Sequence, residues 1–262
     1  MSITISAWRI PFLPLLLQRR GIYTFSESTI PYYYVATPFG TYNATTSTGL
    51  TTKEPKDGPL PAGANAADSV FMQLALVEAR KAAKRGEVPI GAVVVRSLDH
   101  EIGEDTNKLE KCSFQVLSRA SNQVEERRDA SAHAEILAMR KAATNNADAS
   151  WRLLDTTLYT TVEPCVMCLS AAQAFRVGRI VYGAPDLRLG AIDTYANLLD
   201  QPHPFHNIDH VVRGLHEYDS ARLLRDFFRQ QRVAKKKKQK SIRARNRTVA
   251  FLKKLLFHQT AR

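Results

Sequence analysis

Cysteine is scarce in this chain, with three in 262 residues. That is too few for a disulfide framework, and two of the three stand close together at metal-ligand spacing, so a reducing compartment fits best. Long apolar runs are also missing. The stretch 10–17 is too short for a membrane span and carries Pro11 and Pro14, so no span is expected there. Acidic residues fail in two places. Residues 1–53 hold only Glu27, and none follows Asp226. Residues 229–262 contain 13 Lys or Arg; removing them from the net charge of +12 leaves the rest of the chain at −1. The positive charge is therefore a local footprint, and the expected partner of such a patch is a polyanion.

What is present divides the chain into four. Residues 1–53 are acid-poor, bear Arg9, Arg19 and Arg20, and include 15 Ser or Thr. This is the composition of an organelle transit peptide, disordered by expectation, with a plastid favoured over a mitochondrion by the Ser/Thr/Gly-rich stretch. Residues 54–66 read as a Pro/Gly/Ala linker, 67–232 as one folded domain and 233–262 as a basic tail. With 44% hydrophobic residues the chain can build one real core.

Inside the domain, Met72, Ala75, Leu76, Ala79 and Ala83 repeat at helical spacing, leaving Glu78 on the opposite face, and Gly86 ends the helix. Residues 88–95 are a buried strand pattern with Pro89 only at its start. Residues 96–115 are charged and read as a loop or enlarged hairpin, with a strand returning over 114–120. Further strands are expected at 157–162, 178–183 and 211–212, and helices at 133–143, 165–175 and 215–232. Strands alternating with helices predict a three-layer α/β/α domain around a mixed sheet.

Two short stretches carry the chemistry. In 163–168, Cys165 and Cys168 stand three apart, so about 300° of helical turn brings both sulfurs to one face. Pro164 suits the first position of that helix, where its missing N–H would be unpaired anyway. The helix's positive end then favours thiolates, the form zinc requires. In 131–135, His133 supplies a neutral nitrogen and Ser131 is placed to cap a second helix. Three ligands leave a tetrahedral position open to water, as in catalytic sites. Glu135 follows His133 by about 200° of ideal helix, so both face the metal only if His133 stands at the helix start. Two thiolates weaken zinc's acidifying effect on water, so a nearby base is required, and Glu135 is that base. Cys112 as a fourth ligand of a closed structural zinc is the competing reading, and it leaves Glu135 without a role.

His133-x-Glu135 with Pro164-Cys-x-x-Cys168 is the signature of the zinc nucleobase deaminases. From residue 70 to about 237 the chain resembles the bacterial tRNA adenosine deaminases more closely. The likeness rests on 87–95, Asn122, 132–136, 157–159, 162–168, 179–184, Gly190-Ala191 and 226–229. It implies a cytidine-deaminase-like fold, one Zn2+ per subunit on His133, Cys165 and Cys168, and Glu135 as proton shuttle. It implies a homodimer acting on the wobble adenosine of a tRNA anticodon loop. By the same resemblance Asn122 and the backbone of Ala134 contact the flipped base, Val88 lines its pocket, and Asp186 lies near the neighbouring nucleotides. Asn122 also reads as a plain turn cap. Pro185 and the 96–115 insert depart from the family pattern. In the tail, Lys235, Lys236, Lys237, Lys238, Arg243 and Arg245 are expected to hold the RNA backbone without reading sequence; a solvated arm or a nuclear-import patch is the other reading, and 248–257 reads as an amphipathic helix on RNA or on an anionic membrane. Two rival functions use the same residues: deamination of a free base or nucleotide, and a non-catalytic RNA-binding subunit.

Overall fold

Helix α1 (Ala66–Lys84) begins where Asn65 and Asp68 form a reciprocal capping box, each side chain accepting the other's backbone N–H. It ends at Arg85, and Gly86 turns the chain away at φ +82°. The computed structural model describes residues 22–26, 34–37, 40–43, 59–97, 111–146 and 150–259. Ahead of α1 lie β1 (Ile22–Ser26), β2 (Tyr34–Thr37) and β3 (Gly40–Asn43). After it come β4 (Gly91–Ser97), β5 (Lys111–Ser121), the short α2 (Val124–Arg127), α3 (Ala134–Asn145), β6 (Thr156–Val162), α4 (Val166–Phe175), β7 (Arg179–Ala184), β8 (His210–Val212) and α5 (Glu217–Gln259). Among the described residues, six strands form one sheet in the order β1-β5-β4-β6-β7-β8, and β2 pairs only with β3. Pairing is antiparallel from β1 across to β6 and parallel among β6, β7 and β8.

The two faces of this mixed sheet hold two cores, so the expected α/β/α layering is observed. Ala92, Val94, Leu158 and Ile180 point toward α3 and α4, while Val93, Val95, Tyr159 and Val181 point toward α1. Burial on both faces is why β4 reads as a continuous apolar run without alternation; β6 is buried on both faces as well, with Thr156, Thr160 and Thr161 inside. Gly91 lets α1 lie close: a methyl there would stand 2.1 Å from the Ala75 carbonyl oxygen. A polar clasp ties the same layers. Arg179 donates to both carboxylate oxygens of buried Asp68, at 2.7 and 2.9 Å, and the Tyr159 hydroxyl donates to one of them at 2.7 Å.

Several expectations are corrected. Glu78 is buried, not solvent-facing, and accepts from Lys81 and Arg119. The return strand is longer than 114–120, because Lys111–Gln115 pairs with Ile22–Ser26. Those β-prone residues, Ile22-Tyr-Thr-Phe, belong to a segment expected to be unstructured; most of the leader and residues 98–110 of the insert lie outside the described residues. The break expected after 232 is absent: α5 runs unbroken for 43 residues. Its Ala, Lys, Gln and Arg residues are strong helix formers, and that propensity prevails. The chain divides into a unit through Ala221 and a helical unit from Arg222. No helix among the described residues is long and apolar enough to cross a membrane.

Candidate active site and metal centre

Strand β6 leads directly to Cys165, which is the N-cap of α4, and His133 is the N-cap of α3. Both stand in extended conformation, with ψ of 171° and 149°. Pro164 therefore precedes the cap and does not occupy the first helical turn. Ser131 is not the cap of α3 either; its hydroxyl and its backbone N–H donate to Asp129. The helix start falls on His133 itself, and the following turn places Glu135 on the side of the metal-ligand group. Backbone bonds from Leu137 to His133 and from Leu169 to Cys165 close the first turn of each helix.

His133 Nδ1 lies 3.6 Å from Cys165 Sγ and 3.5 Å from Cys168 Sγ. All three donor atoms fall within 4.8 Å of one another, the one such group among the described residues. Tetrahedral zinc with ordinary Zn–S and Zn–N bonds separates sulfur from nitrogen by about 3.5 Å, so the donor set fits one Zn2+. The Cys112 alternative fails on distance. Cys112 pairs opposite Phe25 on β5, nine residues before Ser121, and at about 3.3 Å per residue the strand carries it about 30 Å from the end that faces the site.

The electrostatics suit a cation. Hydrogen bonds from Cys168 and His133 hold the Cys165 thiol down to about 4, against the opposing effect of burial. Cys168 is pushed up, first by its bond to the Cys165 sulfur and then by burial. His133 is raised by its bond with Cys165. Between them the protein groups support one thiolate, and the second is the charge that a bound dication secures. Burial raises Glu135, which is 3% exposed. Its Oε1 accepts the Thr160 hydroxyl at 3.2 Å, while its Oε2 is buried without a protein partner.

The other expected residues are placed as follows. Asn122 is buried; its amide donates to Glu87 Oε2 at 3.2 Å and its Oδ1 has no protein partner. That is not a turn cap. Ala134 is buried at the first turn of α3. Val88 is half-buried ahead of β4, and half-buried Asp186 accepts the N–H groups of Arg188 and Leu189. Lys235, Lys236, Lys237, Lys238, Arg243 and Arg245 are exposed on α5, in the separate helical unit. Sequence reasoning gave no role to Glu87, Thr160 or Glu163. Glu87 is 1% exposed and also accepts the Glu126 N–H at 2.8 Å. A carboxylate directly beside an apolar run is the signal: Glu87 opens the run 88–95, and Glu163 stands between Val162 and the metal-ligand segment 164–168.

Fold and site together define a zinc-dependent deaminase. The family pattern described as "Cytidine and deoxycytidylate deaminase zinc-binding region" matches residues 65–184. A tRNA-specific adenosine deaminase of Agrobacterium fabrum is 42% identical over 163 residues, which cover 62% of this chain and 95% of that protein. One from Streptococcus pyogenes serotype M1 is 39% identical over 166 residues, 63% of this chain and 86% of that one. A chloroplastic tRNA(adenine(34)) deaminase of Arabidopsis thaliana is 39% identical over 176 residues, which make up 62% of this chain but only 12% of that longer protein. The chain belongs to the tRNA-specific adenosine deaminase family.

Proposed function

We propose that the chain converts the wobble adenosine of a tRNA anticodon to inosine, with release of ammonia. The observation that carries the reading is a pair of buried acceptors without protein partners, Glu135 Oε2 and Asn122 Oδ1, in a domain whose metal-ligand triad adjoins Glu135. Held by His133, Cys165 and Cys168, zinc would supply Lewis acidity that makes water a better nucleophile near neutral pH. Glu135 takes the proton from the attacking water as its oxygen bonds to C6, and gives it to N1 of the base. The proton of the new C6 hydroxyl then passes through the same carboxylate to the 6-amino group, which leaves as ammonia as the C6–N bond breaks and the C6 carbonyl forms. Asn122 and the Ala134 backbone orient the base, Val88 walls the pocket, and Asp186 sits toward the flanking nucleotides. A single-stranded loop is a favourable substrate because its bases leave their stack at little cost, against a few kcal/mol in a duplex.

The decisive assay incubates the zinc-loaded chain with an arginine tRNA carrying adenosine at the wobble position, beside free adenosine, cytidine and guanine. Inosine confined to the wobble position is expected; turnover of a free base alone would discard the RNA substrate and keep the deaminase.

The helix α5 is proposed as the backbone-binding element. Lys236, Gln239, Lys240, Arg243 and Arg247 share one face of it, and exposed Lys235, Lys237, Lys238 and Arg245 carry the positive charge around the rest of the helix. With about six tail charges neutralising phosphates, tRNA affinity is expected to fall on the order of a thousandfold between 50 and 200 mM salt. Truncation after Arg232 should flatten that slope, measured by fluorescence titration; an unchanged slope rules out the tail. We further propose a homodimer, supported by the exposed apolar side chains of Val166, Met167, Leu187, Leu189 and Tyr195. Plastid import is proposed from the leader's composition and the chloroplastic relative, with the mitochondrion as the other destination for an import assay.

A further inference from the structure

Glu163, two residues before a metal ligand, is 2% exposed. Its carboxylate accepts five hydrogen bonds from one loop. Oε1 takes the N–H groups of Ile192, Asp193 and Thr194 at 3.0, 2.7 and 3.2 Å, and Oε2 takes the Asp186 N–H at 3.1 Å and the Thr194 hydroxyl at 2.8 Å. The middle of the same loop lies against the residues that follow Glu163. Gly190 forms an antiparallel bridge with Cys165, and the Ala191 N–H donates to the Pro164 carbonyl at 2.9 Å. The approach is close enough to require glycine: a methyl on Gly190 would stand 2.3 Å from Glu163 Oε2.

We propose that Glu163 is a positioning residue for the metal centre: by anchoring the loop 186–194 at both ends it fixes the backbone of Cys165, and with it the place of the sulfur relative to His133 and Cys168. The inference rests on the zinc reading of that triad. Cys165 is a helix cap, so the backbone bonds of α4 hold it from one side only, and its extended φ/ψ must be set from the other. The loop supplies that second constraint. Only an acceptor on both ends of the side chain satisfies five donors at once. Glutamine, of nearly the same shape, turns one end into an NH2 group facing N–H donors.

The test measures zinc transfer from the full, zinc-loaded chain to a chromogenic chelator, beside thermal unfolding. Glu163→Gln is expected to weaken zinc binding by about 10–100-fold, the effect typical of groups that orient metal ligands. Val181→Ala, in the core on the α1 side of the sheet, lowers stability without moving zinc affinity, which separates positioning from loss of fold. Should Glu163→Gln not fold, Thr194→Ala removes one of the five donors and is expected to weaken zinc binding several-fold. Wild-type zinc affinity in the folded Glu163→Gln chain, or in Thr194→Ala where that chain does not fold, overturns the proposal. An unsubstituted chain that binds no zinc would overturn the zinc reading together with it, whereas tight zinc binding indifferent to Glu163 sinks the positioning role alone.

Discussion

Glu135→Gln is expected to lower kcat by about two to four orders of magnitude, the usual contribution of a positioned proton carrier, while zinc content and thermal stability stay near those of the unsubstituted chain. Glutamine keeps the size of the side chain and can still accept the Thr160 hydroxyl that now reaches Oε1 at 3.2 Å. What it loses is the capacity of Oε2 to receive a proton and release it again. Because Oε2 has no protein partner, the substitution breaks no hydrogen bond that the fold depends on. The chemistry and the architecture are therefore separable at this residue. Single-turnover inosine formation, read beside zinc content and tRNA affinity, measures the separation. Undiminished turnover would remove Glu135 from the mechanism; lost zinc would recast it as a structural group.

The metal centre was legible because its chemistry is local in sequence. One histidine and two cysteines at fixed spacing, with a glutamate two residues from the histidine, imply the donor set before any fold is known. The layering was legible too, since strands buried on both faces and amphipathic helices announce themselves by period. What escaped are interactions between distant segments. Periodicity placed Glu78 in solvent, but Arg119, 41 residues later on β5, meets it with a hydrogen bond. The start of β5 took its strand form from pairing with β1, and no local pattern at Lys111–Ser113 announces that partner. The two helices start at His133 and Cys165 as expected, but the capping residues differ: His133 and not Ser131 caps α3, and Cys165 caps α4 with Pro164 ahead of it, because each cap is settled by the strand or loop leading into it. Glu163 was visible as a residue, yet its five donors come from 23 to 31 positions downstream.

The same blindness hid the clasp at Asp68, whose removal is expected to be the largest single loss of stability in the α1 layer. Asp68→Ala strips two hydrogen bonds from the Arg179 guanidinium and one from the Tyr159 hydroxyl, and it undoes the capping box with Asn65. The Asp68 side chain is 1% exposed and that of Arg179 is 23% exposed. Breaking a buried pair by deleting one partner costs about 3–5 kcal/mol, because the other charge is left uncompensated. Water still reaches part of Arg179, so the low end, about 3 kcal/mol, is expected. For a domain of this size that corresponds to a fall in Tm of roughly 6–12 °C. The origin of the loss can be isolated. If the stranded guanidinium is responsible, Asp68→Ala with Arg179→Met should be more stable than Asp68→Ala alone, since the second change removes the uncompensated charge. A double variant as unstable as the sum of the two single ones would instead assign the loss to the helix cap and the Tyr159 hydroxyl. In either case zinc content should be unchanged at a temperature where the variants remain folded, because the ligands hang from α3 and α4 on the opposite face of the sheet.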